Sequence, residues 1–237
     1  LAENGPMGIM DLSAQLGFHK STTHRLVTSL QYMGYIRQDE ESLKYALSLK
    51  FLEIGGKILE QTNMASLVHP SLKKLSEQTG ETVHLVRREG TEAVYIDKVE
   101  STVSSIRMVS RVGSRIPLYC SGVGKALLAE LPDPEIEDIW NSSEITSLTP
   151  YTVTSLSDLM DRIRGVREAG YAMDDEENEE GVRCIAVSIP DYHKEPVYAL
   201  SISAPVSRMT DARIAELSTD VLTFKKDLEK TLGFSRS

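Results

Sequence analysis

Residues 9–34 read IMDLSAQLGFHKSTTHRLVTSLQYMG, and this stretch predicts two helices joined by a short turn. Apolar residues recur at helical spacing up to Leu16, and Gly17 can end the first helix because glycine accepts a positive φ. Ser21 is a candidate N-cap for a second helix that runs to Met33 and ends at Gly34. This arrangement is typical of a helix-turn-helix unit.

The second helix has an apolar and a polar face. The predicted inward residues are Thr22, Leu26, Leu30 and Met33. The opposite face carries Lys20, Ser21, His24, Arg25, Thr28 and Gln31. The net charge of -9 argues against a nucleic-acid partner, but residues 18–37 contain no Asp or Glu. Because local potential decides binding, this face is a candidate DNA-reading surface. The alternative is a solvated face on a helical pair that only packs against a neighbour.

Residues 35–38 and 43–47 predict two strands around the acidic turn 39–42, which would form the wing of a winged helix-turn-helix domain over residues 1–46. The acidic tip does not suit contact with phosphate, so we expect the wing to have a structural or positioning role. Base reading is then left to the second helix.

A linker helix over residues 47–62 follows. Leu47, Phe51, Ile54 and Ile58 recur at four, three and four residues, a short seam suited to a partner helix. Pairing two chains there would place two reading helices in successive major grooves, about 34 Å apart. The alternative is a core helix of a single chain.

Residues 63–237 predict an α+β domain with one curved sheet. Asn63 is a candidate cap for a helix through Gln78, and its expected inward residues are Met64, Leu67, Leu72 and Leu75. Strands are predicted at residues 82–87, 93–99, 105–110, 182–189 and 197–203, and helices at residues 122–131, 133–141, 156–169 and 211–232.

Residues 117–126 read PLYCSGVGKA, an extended segment that enters a helix through a glycine-rich first turn. Free backbone N–H groups there form a candidate site for a carboxylate or another anion. The segment is not a phosphate-binding Walker loop, because Ala126 follows Lys125 where Ser or Thr is required. The alternative is that the glycines only allow close helix packing.

Polar residues on two predicted strands could face the same site. Ser201 and Ser203 lie two apart and therefore share a strand face, and Cys184 shares a face with Ala186. Free cysteine is most often a core residue, and this alternative stays open for Cys184. Residues 174–180 hold six acids in seven positions, which is typical of a solvated loop.

The sequence offers no convincing enzyme signature. Cys120 or Cys184 could pair with His84 or His193, but no local motif supports such a dyad. Two cysteines are too few for a disulfide framework, so we expect reduced thiols. Asp174 and Cys184 could together hold a metal, but residues 174–180 lack the ligand spacing and the central glycine of an EF-hand, and we expect neither a metal nor another cofactor.

Composition supports an ordinary globular protein. The chain has 237 residues, of which 41% are hydrophobic and 26% charged, and no run approaches the about 18 apolar residues of a membrane helix. It begins with Leu1, and no signal-peptide pattern follows. We therefore expect a cytoplasmic protein and an N-terminal stretch that precedes this sequence.

Four segments together closely resemble the IclR family of bacterial transcriptional regulators. They are residues 16–26 (LGFHKSTTHRL), 117–129 (PLYCSGVGKALLA), 170–177 (GYAMDDEE) and 181–186 (GVRCIA). Residues 81–86 (ETVHLV) and 94–98 (VYIDK) look most like the KdgR-type subgroup, regulators of sugar-acid catabolism. Tyr119 and Ser121 depart from the His and Thr that the family often has there.

The resemblance implies a fold, an assembly and a set of site residues. The fold is an N-terminal winged helix-turn-helix, a linker helix and a C-terminal GAF-like effector domain, assembled as dimers or tetramers. The family's first helix is largely missing before Gly5. The expected DNA-binding residues are Lys20, Ser21, Thr23, His24, Arg25 and Thr28. The expected effector-binding residues are Met108, Leu118, Gly122, Val123, Asp174, Cys184, Ser201 and Ser203.

The resulting expectation is a metabolite-responsive regulator, a repressor of a sugar-acid or related small-carboxylate operon that binds an inverted repeat in DNA. The rival is a small-acid sensor or enzyme whose N-terminal unit serves only dimerisation.

Overall fold

The computed structural model describes residues 1–61, 64–101, 109–191, 193 and 195–232. The chain divides into two compact units, Leu1–Asn63 and Met64–Ser237. Within the described ranges, no helix is both long and apolar enough to cross a bilayer.

The first unit contains three helices and a small hairpin among its described residues. Its elements are α1 (Ile9–Leu16), α2 (Lys20–Tyr32), β1 (Ile36–Gln38), β2 (Tyr45–Leu47) and α3 (Lys50–Gln61). Gly17 ends α1 with a φ of 65°, as predicted. The strands β1 and β2 pair antiparallel, and Met7 adds an isolated bridge to Tyr45. The predicted helix-turn-helix and wing are therefore present in this unit.

The start and the buried face of α2 differ from the prediction. The helix begins at Lys20 after His19, so Ser21 lies inside the first turn and is not the N-cap. Thr23 and Val27 are the buried residues of α2, and Leu26 is 46% exposed. The predicted inward residues Thr22, Leu30 and Met33 are also exposed. The cause is that Val27 packs with Leu12 of α1 and with the hairpin residues Ile36 and Tyr45.

The first turn of α3 is fixed to the loop that follows α2. Lys50 Nζ donates to the carbonyl oxygen of Met33 at 2.6 Å and lies 4.7 Å from the ring centre of Tyr35. The rings of Phe51 and Tyr35 are 5.4 Å apart. The apolar seam predicted for the linker helix is therefore shorter than expected. Leu47 belongs to β2, and Phe51 packs against the ring of Tyr35.

The described part of the second unit is built on an antiparallel sheet of six strands in the order β5-β4-β3-β8-β7-β6. The strands are β3 (Thr82–Glu89), β4 (Glu92–Val99), β5 (Arg115–Pro117), β6 (Ala172–Asp175), β7 (Val182–Ile189) and β8 (Tyr198–Pro205). The helices are α4 (Met64–Thr79), α5 (Gly122–Leu128), α6 (Asp133–Asn141), α7 (Leu156–Ala169) and α8 (Asp211–Thr231).

Apolar side chains cover both faces of this sheet. On one face, α4 and α8 pack against strand residues such as Leu200 and Ile202. On the other, α5, α6 and α7 form a second core with residues such as Val86 and Ala199. Adjacent residues of a strand point to opposite faces, so Ser201 and Ser203 lie on the α5 side, as the alternation predicted.

Several predictions for this unit need correction. Leu67 is 47% exposed, and Val68 takes its place in the core because it is the residue that faces β3 and α8. The strand β6 was missed because its acidic residues suggested a loop. The predicted strand 105–110 and the cap Asn63 lie largely or wholly outside the described residues, although Ser110 is described and is not in a strand.

Candidate functional site

The exposed face of α2 is polar and free of acidic residues. Lys20, Ser21, His24, Arg25 and Thr28 are all exposed, as the sequence predicted. Thr28 Oγ1 lies 3.4 Å from His24 Nδ1, so these two side chains meet one helical turn apart. The surface therefore offers two permanent cations and several hydrogen-bonding groups on one side of a helix, which are the groups that contact phosphates and base edges.

Thr23 does not belong to this surface. It is fully buried, and its Oγ1 donates to the carbonyl oxygen of His19 at 3.3 Å. The prediction that Thr23 contacts DNA is wrong, because its side chain faces into the first unit.

A cleft in the second unit lies between the sheet and the start of α5. It holds about 440 Å³ of space free of protein atoms, including its open mouth. Its described lining residues are His84, Tyr95, Ser110, Ile116, Ser121, Gly122, Val123, Asp174, Asn178, Glu179, Val182, Cys184, Ser201 and Ser203. Six of the eight predicted effector residues therefore line one cleft.

Of the two remaining predicted residues, only Leu118 is described, and it does not join them. Leu118 is fully buried in the core under α5 and is not among the residues that line the cleft. Its side chain packs in the core instead of forming an apolar wall of the cleft, and its backbone lies against Gly124 of α5. Met108 lies outside the described residues.

The first turn of α5 is fixed by a side-chain cap and by a close backbone contact. Ser121 Oγ accepts from the Gly124 N–H at 3.1 Å and donates to the Pro117 carbonyl at 2.6 Å. A Cβ at Gly124 would lie 2.1 Å from the Leu118 carbonyl oxygen, so only glycine fits. No described residue accepts a hydrogen bond from the backbone N–H of Gly122 or Val123, so these two groups stay available at the cleft.

Asp174 lies beside this turn and is buried. Its Oδ1 accepts from the backbone N–H of Glu177 at 2.9 Å and of Asn178 at 3.3 Å. Burial raises the pKa of Asp174 to about 7, and the nearby charge of Lys125 opposes that rise only in part. Near neutral pH the carboxyl group is therefore present in both protonation states.

A buried ion pair holds the segment after Asp174 in place. Lys125 of α5 and Glu177 form it, and each side chain is only 2% exposed. Glu177 Oε2 is buried, and none of the described residues donates a hydrogen bond to it. The Glu177 carbonyl oxygen accepts from Thr152 Oγ1 at 2.6 Å. The sequence predicted that residues 174–180 form a solvated acidic loop, and for Asp174 and Glu177 this is wrong because each has buried partners.

His84 is a residue of the cleft that the sequence considered only as a partner for a cysteine. Its Nε2 lies 2.7 Å from Ser110 Oγ, and its Nδ1 lies 3.4 Å from Ser201 Oγ and 3.3 Å from Ser203 Oγ. Burial, and secondly the charge of Lys98, lowers the pKa of His84 to about 3. In the sheet His84 is paired with Ser201, so the two side chains point to the same face. Alternation along β3 gives the residues that share the face of His84, which is the signal that could have indicated it.

The two cysteines are free thiols, and burial raises the pKa of each. The pKa of Cys120 reaches about 12, so its thiolate is scarce at neutral pH. Cys184 lines the cleft as a small, soft group beside Asp174 and Ser203. Within the residues that the structure describes, no three His, Cys, Asp or Glu side chains come together as a metal site.

Comparison with known proteins finds a family match for each of the two units. Residues 1–40 match the IclR helix-turn-helix domain, and residues 56–229 match the bacterial transcriptional regulator IclR C-terminal domain. The chain belongs to the IclR family. Its relatives include the acetate operon repressor of Salmonella typhimurium, which is 37% identical over 98% of this chain and 85% of the relative. KdgR of Escherichia coli is 36% identical over 99% of this chain and 89% of the relative.

Solved structures agree with the family. The Thermotoga maritima IclR structure has a TM-score of 0.69 at 32% identity and covers 97% of this chain and 92% of its own. The Agobacterium tumefaciens repressor BlcR has a TM-score of 0.82 at 26% identity, with 98% and 92% covered. This IclR-family protein is therefore a DNA-binding transcriptional regulator with a C-terminal effector domain, and not an enzyme.

Proposed function

We propose that this regulator represses genes for the breakdown of a sugar acid or another small carboxylic acid, and that the acid binds in the cleft at α5 and changes the affinity for DNA. The observation that carries the proposal is the meeting of the Gly122 and Val123 N–H groups, to which no described residue is hydrogen-bonded, with Asp174, Ser201 and Ser203 in one cleft. A relative named as an acetate operon repressor supports a link to the metabolism of a carboxylic acid.

In this proposal the α2 surface reads the operator. Lys20 and Arg25 contact phosphate or guanine, and Ser21, His24 and Thr28 read or position bases. The exposure of all five residues and the absence of acids in residues 18–37 support this assignment. Thr23 is not included, because its side chain is buried.

Arg25→Ala tests the reading surface. We expect a loss of about 5- to 100-fold in affinity for the operator, together with a salt dependence that is about one unit shallower if Arg25 contacts phosphate. Arg164→Ala, on the exposed face of α7 in the other unit, removes the same charge and serves as the control. Fluorescence anisotropy on genomic fragments selected with the wild-type protein gives both affinities. Equal binding by all three proteins would show that α2 does not read DNA.

The acid is expected to place its carboxylate at the N–H groups of Gly122 and Val123, with its remaining oxygens toward Ser201 and Ser203. Cys184 is paired with Asp174 on one side and with Ser203 on the other, and it lines the same cleft. A complete switch from 1:99 to 99:1 needs a preference of about 5.5 kcal/mol for one state. Coupling between subunits would have to supply the part of this free-energy preference that binding in one cleft does not.

Ser201→Ala tests the cleft by calorimetry with a panel of two- to six-carbon hydroxy and keto acids. Removing a hydroxyl that binds the ligand should weaken binding by about 3- to 20-fold. Ser157→Ala, at an exposed position of α7, should leave the affinity unchanged. If Ser201→Ala also leaves it unchanged, the acid binds elsewhere.

The proposed organisation assigns residues 1–46 to DNA binding, 47–62 to a linker that pairs chains, and 63–237 to effector binding. The active form is a homodimer or homotetramer that binds an inverted repeat, because paired reading helices match a two-fold symmetric site. The proposed location is the cytoplasm, where bacterial DNA is accessible to a regulator.

A further inference from the structure

We propose that Tyr32 is a further DNA-binding residue of α2, and that its hydroxyl group donates a hydrogen bond to a phosphate of the operator. This contact fixes the C-terminal end of α2 on the DNA, beyond the bases that the start of the helix contacts. The inference rests on the proposed function, because it assumes that the exposed polar face of α2 lies on the operator.

Tyr32 lies in line with three of the proposed DNA-binding residues. Ser21, Arg25, Thr28 and Tyr32 are separated by four, three and four positions, so they form one stripe along α2. Arg25 and the buried Val27 are two positions apart, and two positions turn a helix by about 200°. The stripe therefore lies on the side of α2 that faces away from the core of the first unit.

The side chain of Tyr32 has no role in the packing of the first unit. It is 92% exposed, more than any other large hydrophobic side chain that the structure describes. Within the described residues, no hydrogen bond or ring contact involves this side chain. Tyr35 shows the contrast, because its ring packs with Phe51 and lies under Lys50. Internal packing therefore does not account for an aromatic residue at position 32.

The distance along α2 determines which part of the DNA Tyr32 meets. A helix rises about 1.5 Å per residue, so the backbone of Tyr32 lies about 16 Å beyond that of Ser21. The major groove is about 12 Å wide, and the reading helix of a helix-turn-helix unit contacts bases with its N-terminal residues. With Ser21 and Arg25 at the bases, Tyr32 is at the rim of the groove, where the sugar-phosphate backbone runs.

The hydroxyl group of tyrosine suits a phosphate at this position. It is a hydrogen-bond donor at the end of a long side chain, and tyrosine is among the residues that contact phosphate oxygens. The last turn of α2 carries no basic residue, so no cation of that turn competes for the same phosphate. An uncharged donor neutralises no phosphate and releases no counter-ion. The contribution of Tyr32 should therefore not depend on salt, in contrast to a phosphate contact made by Arg25.

The experiment compares Tyr32→Phe and Tyr32→Ala with the wild-type full chain by fluorescence anisotropy. The probe is a synthetic duplex of a genomic fragment selected with the wild-type protein. We expect Tyr32→Phe to weaken binding by about 3- to 30-fold, with an unchanged slope of log affinity against log salt concentration. The factor should be the same on a duplex with altered bases, because a phosphate contact does not depend on sequence. Tyr151→Phe, at an exposed tyrosine of the second unit, is the matched control and should bind as the wild type does.

Replacement of single phosphates by methylphosphonates locates the contact. At the phosphate that Tyr32 contacts, the replacement should weaken the wild type more than it weakens Tyr32→Phe, because the variant has already lost the hydrogen bond. At other positions the two proteins should lose affinity by the same factor. Equal losses at every position would show that the hydroxyl group contacts no phosphate.

The outcomes separate this inference from the proposed function. If Tyr32→Phe binds as tightly as the wild type while Arg25→Ala binds weakly, the reading surface stands and the role of Tyr32 is wrong. If both variants bind as the wild type does, α2 does not lie on the DNA and both proposals fail. If only Tyr32→Ala loses affinity, the ring makes the contact and the phosphate assignment is overturned. If Tyr32→Ala changes the sedimentation of the protein without DNA, Tyr32 belongs to a contact between chains instead.

Discussion

Replacing Asp174 by Asn should stabilise the effector domain, and the gain should grow as the pH rises. Burial raises the pKa of Asp174 from 3.8 to about 7 in the folded protein. Between these two values the folded state holds a proton that the unfolded state has released, so each increase in pH costs stability. At about 1.4 kcal/mol per pKa unit, the full cost above pH 8 is about 4 kcal/mol.

Asparagine removes this cost and keeps the local contacts. Its side-chain oxygen can still accept from the backbone N–H groups of Glu177 and Asn178, which Oδ1 of Asp174 accepts now. The dependence of the free energy of unfolding on pH follows from the two pKa values of Asp174. It predicts that Asp174→Asn stabilises the protein by about 2 kcal/mol more at pH 8.5 than at pH 5.5. The sign follows from the direction of the shift, because a raised carboxyl pKa destabilises the ionised folded state.

Urea unfolding at both pH values measures this gain. Trp140 is the single tryptophan of the chain and packs against the core under α5 and α7, so its fluorescence reports on the second unit. Asp175→Asn is the matched control. Asp175 is the next residue, is exposed and contacts Arg183 near the surface, so its loss should cost at most about 1 kcal/mol. The reasoning is refuted if Asp174→Asn is no more stable than the wild type at pH 8.5, or if the difference does not grow with pH.

Two further predictions concern packing around α5. Lys125→Met leaves the carboxylate of Glu177 buried without its cation and should destabilise the protein by about 3 to 5 kcal/mol, whereas the double variant with Glu177→Leu should recover most of the loss in the same urea titration. If the double variant is no more stable than the single one, the pair is not coupled as described. Gly124→Ala places a Cβ 2.1 Å from the Leu118 carbonyl oxygen and should abolish stable folding of the second unit. Gly165→Ala, at an open helical position, should raise stability by about 0.5 to 1 kcal/mol, and equal melting temperatures for these two variants would contradict the steric argument.

Local patterns were sufficient for most elements. The spacing before Gly17 predicted α1 with its observed bounds, and the alternation through residues 182–189 predicted β7 in the same way. The prediction of the apolar face of α2 was wrong by one residue, because Thr23 and Val27 are buried where Thr22 and Leu26 were expected. Thr22 and Thr23 are the same residue type, and only the tertiary contact of Val27 with Leu12 decides which threonine is buried.

The site was harder to predict where partners are distant in sequence. Ser201 and Ser203 were found because alternation within one strand is a local rule. Glu177 was missed because its partner Lys125 is 52 residues away, and a run of acids normally lies in solvent. His84 was missed as a cleft residue because its neighbours Ser110, Ser201 and Ser203 come from other parts of the chain.

The attachment of α3 to the loop after α2 has a mechanical consequence. Lys50 donates a hydrogen bond to the Met33 carbonyl oxygen and lies over the ring of Tyr35, and the ring of Phe51 contacts the same tyrosine. A twist of α3 about its axis would have to break all three contacts or drag the end of α2 along with it. A rotation of α3 is therefore expected to be transmitted to α2, and the exposed polar face of α2 would turn with it. No separate hinge inside the first unit is needed for this movement.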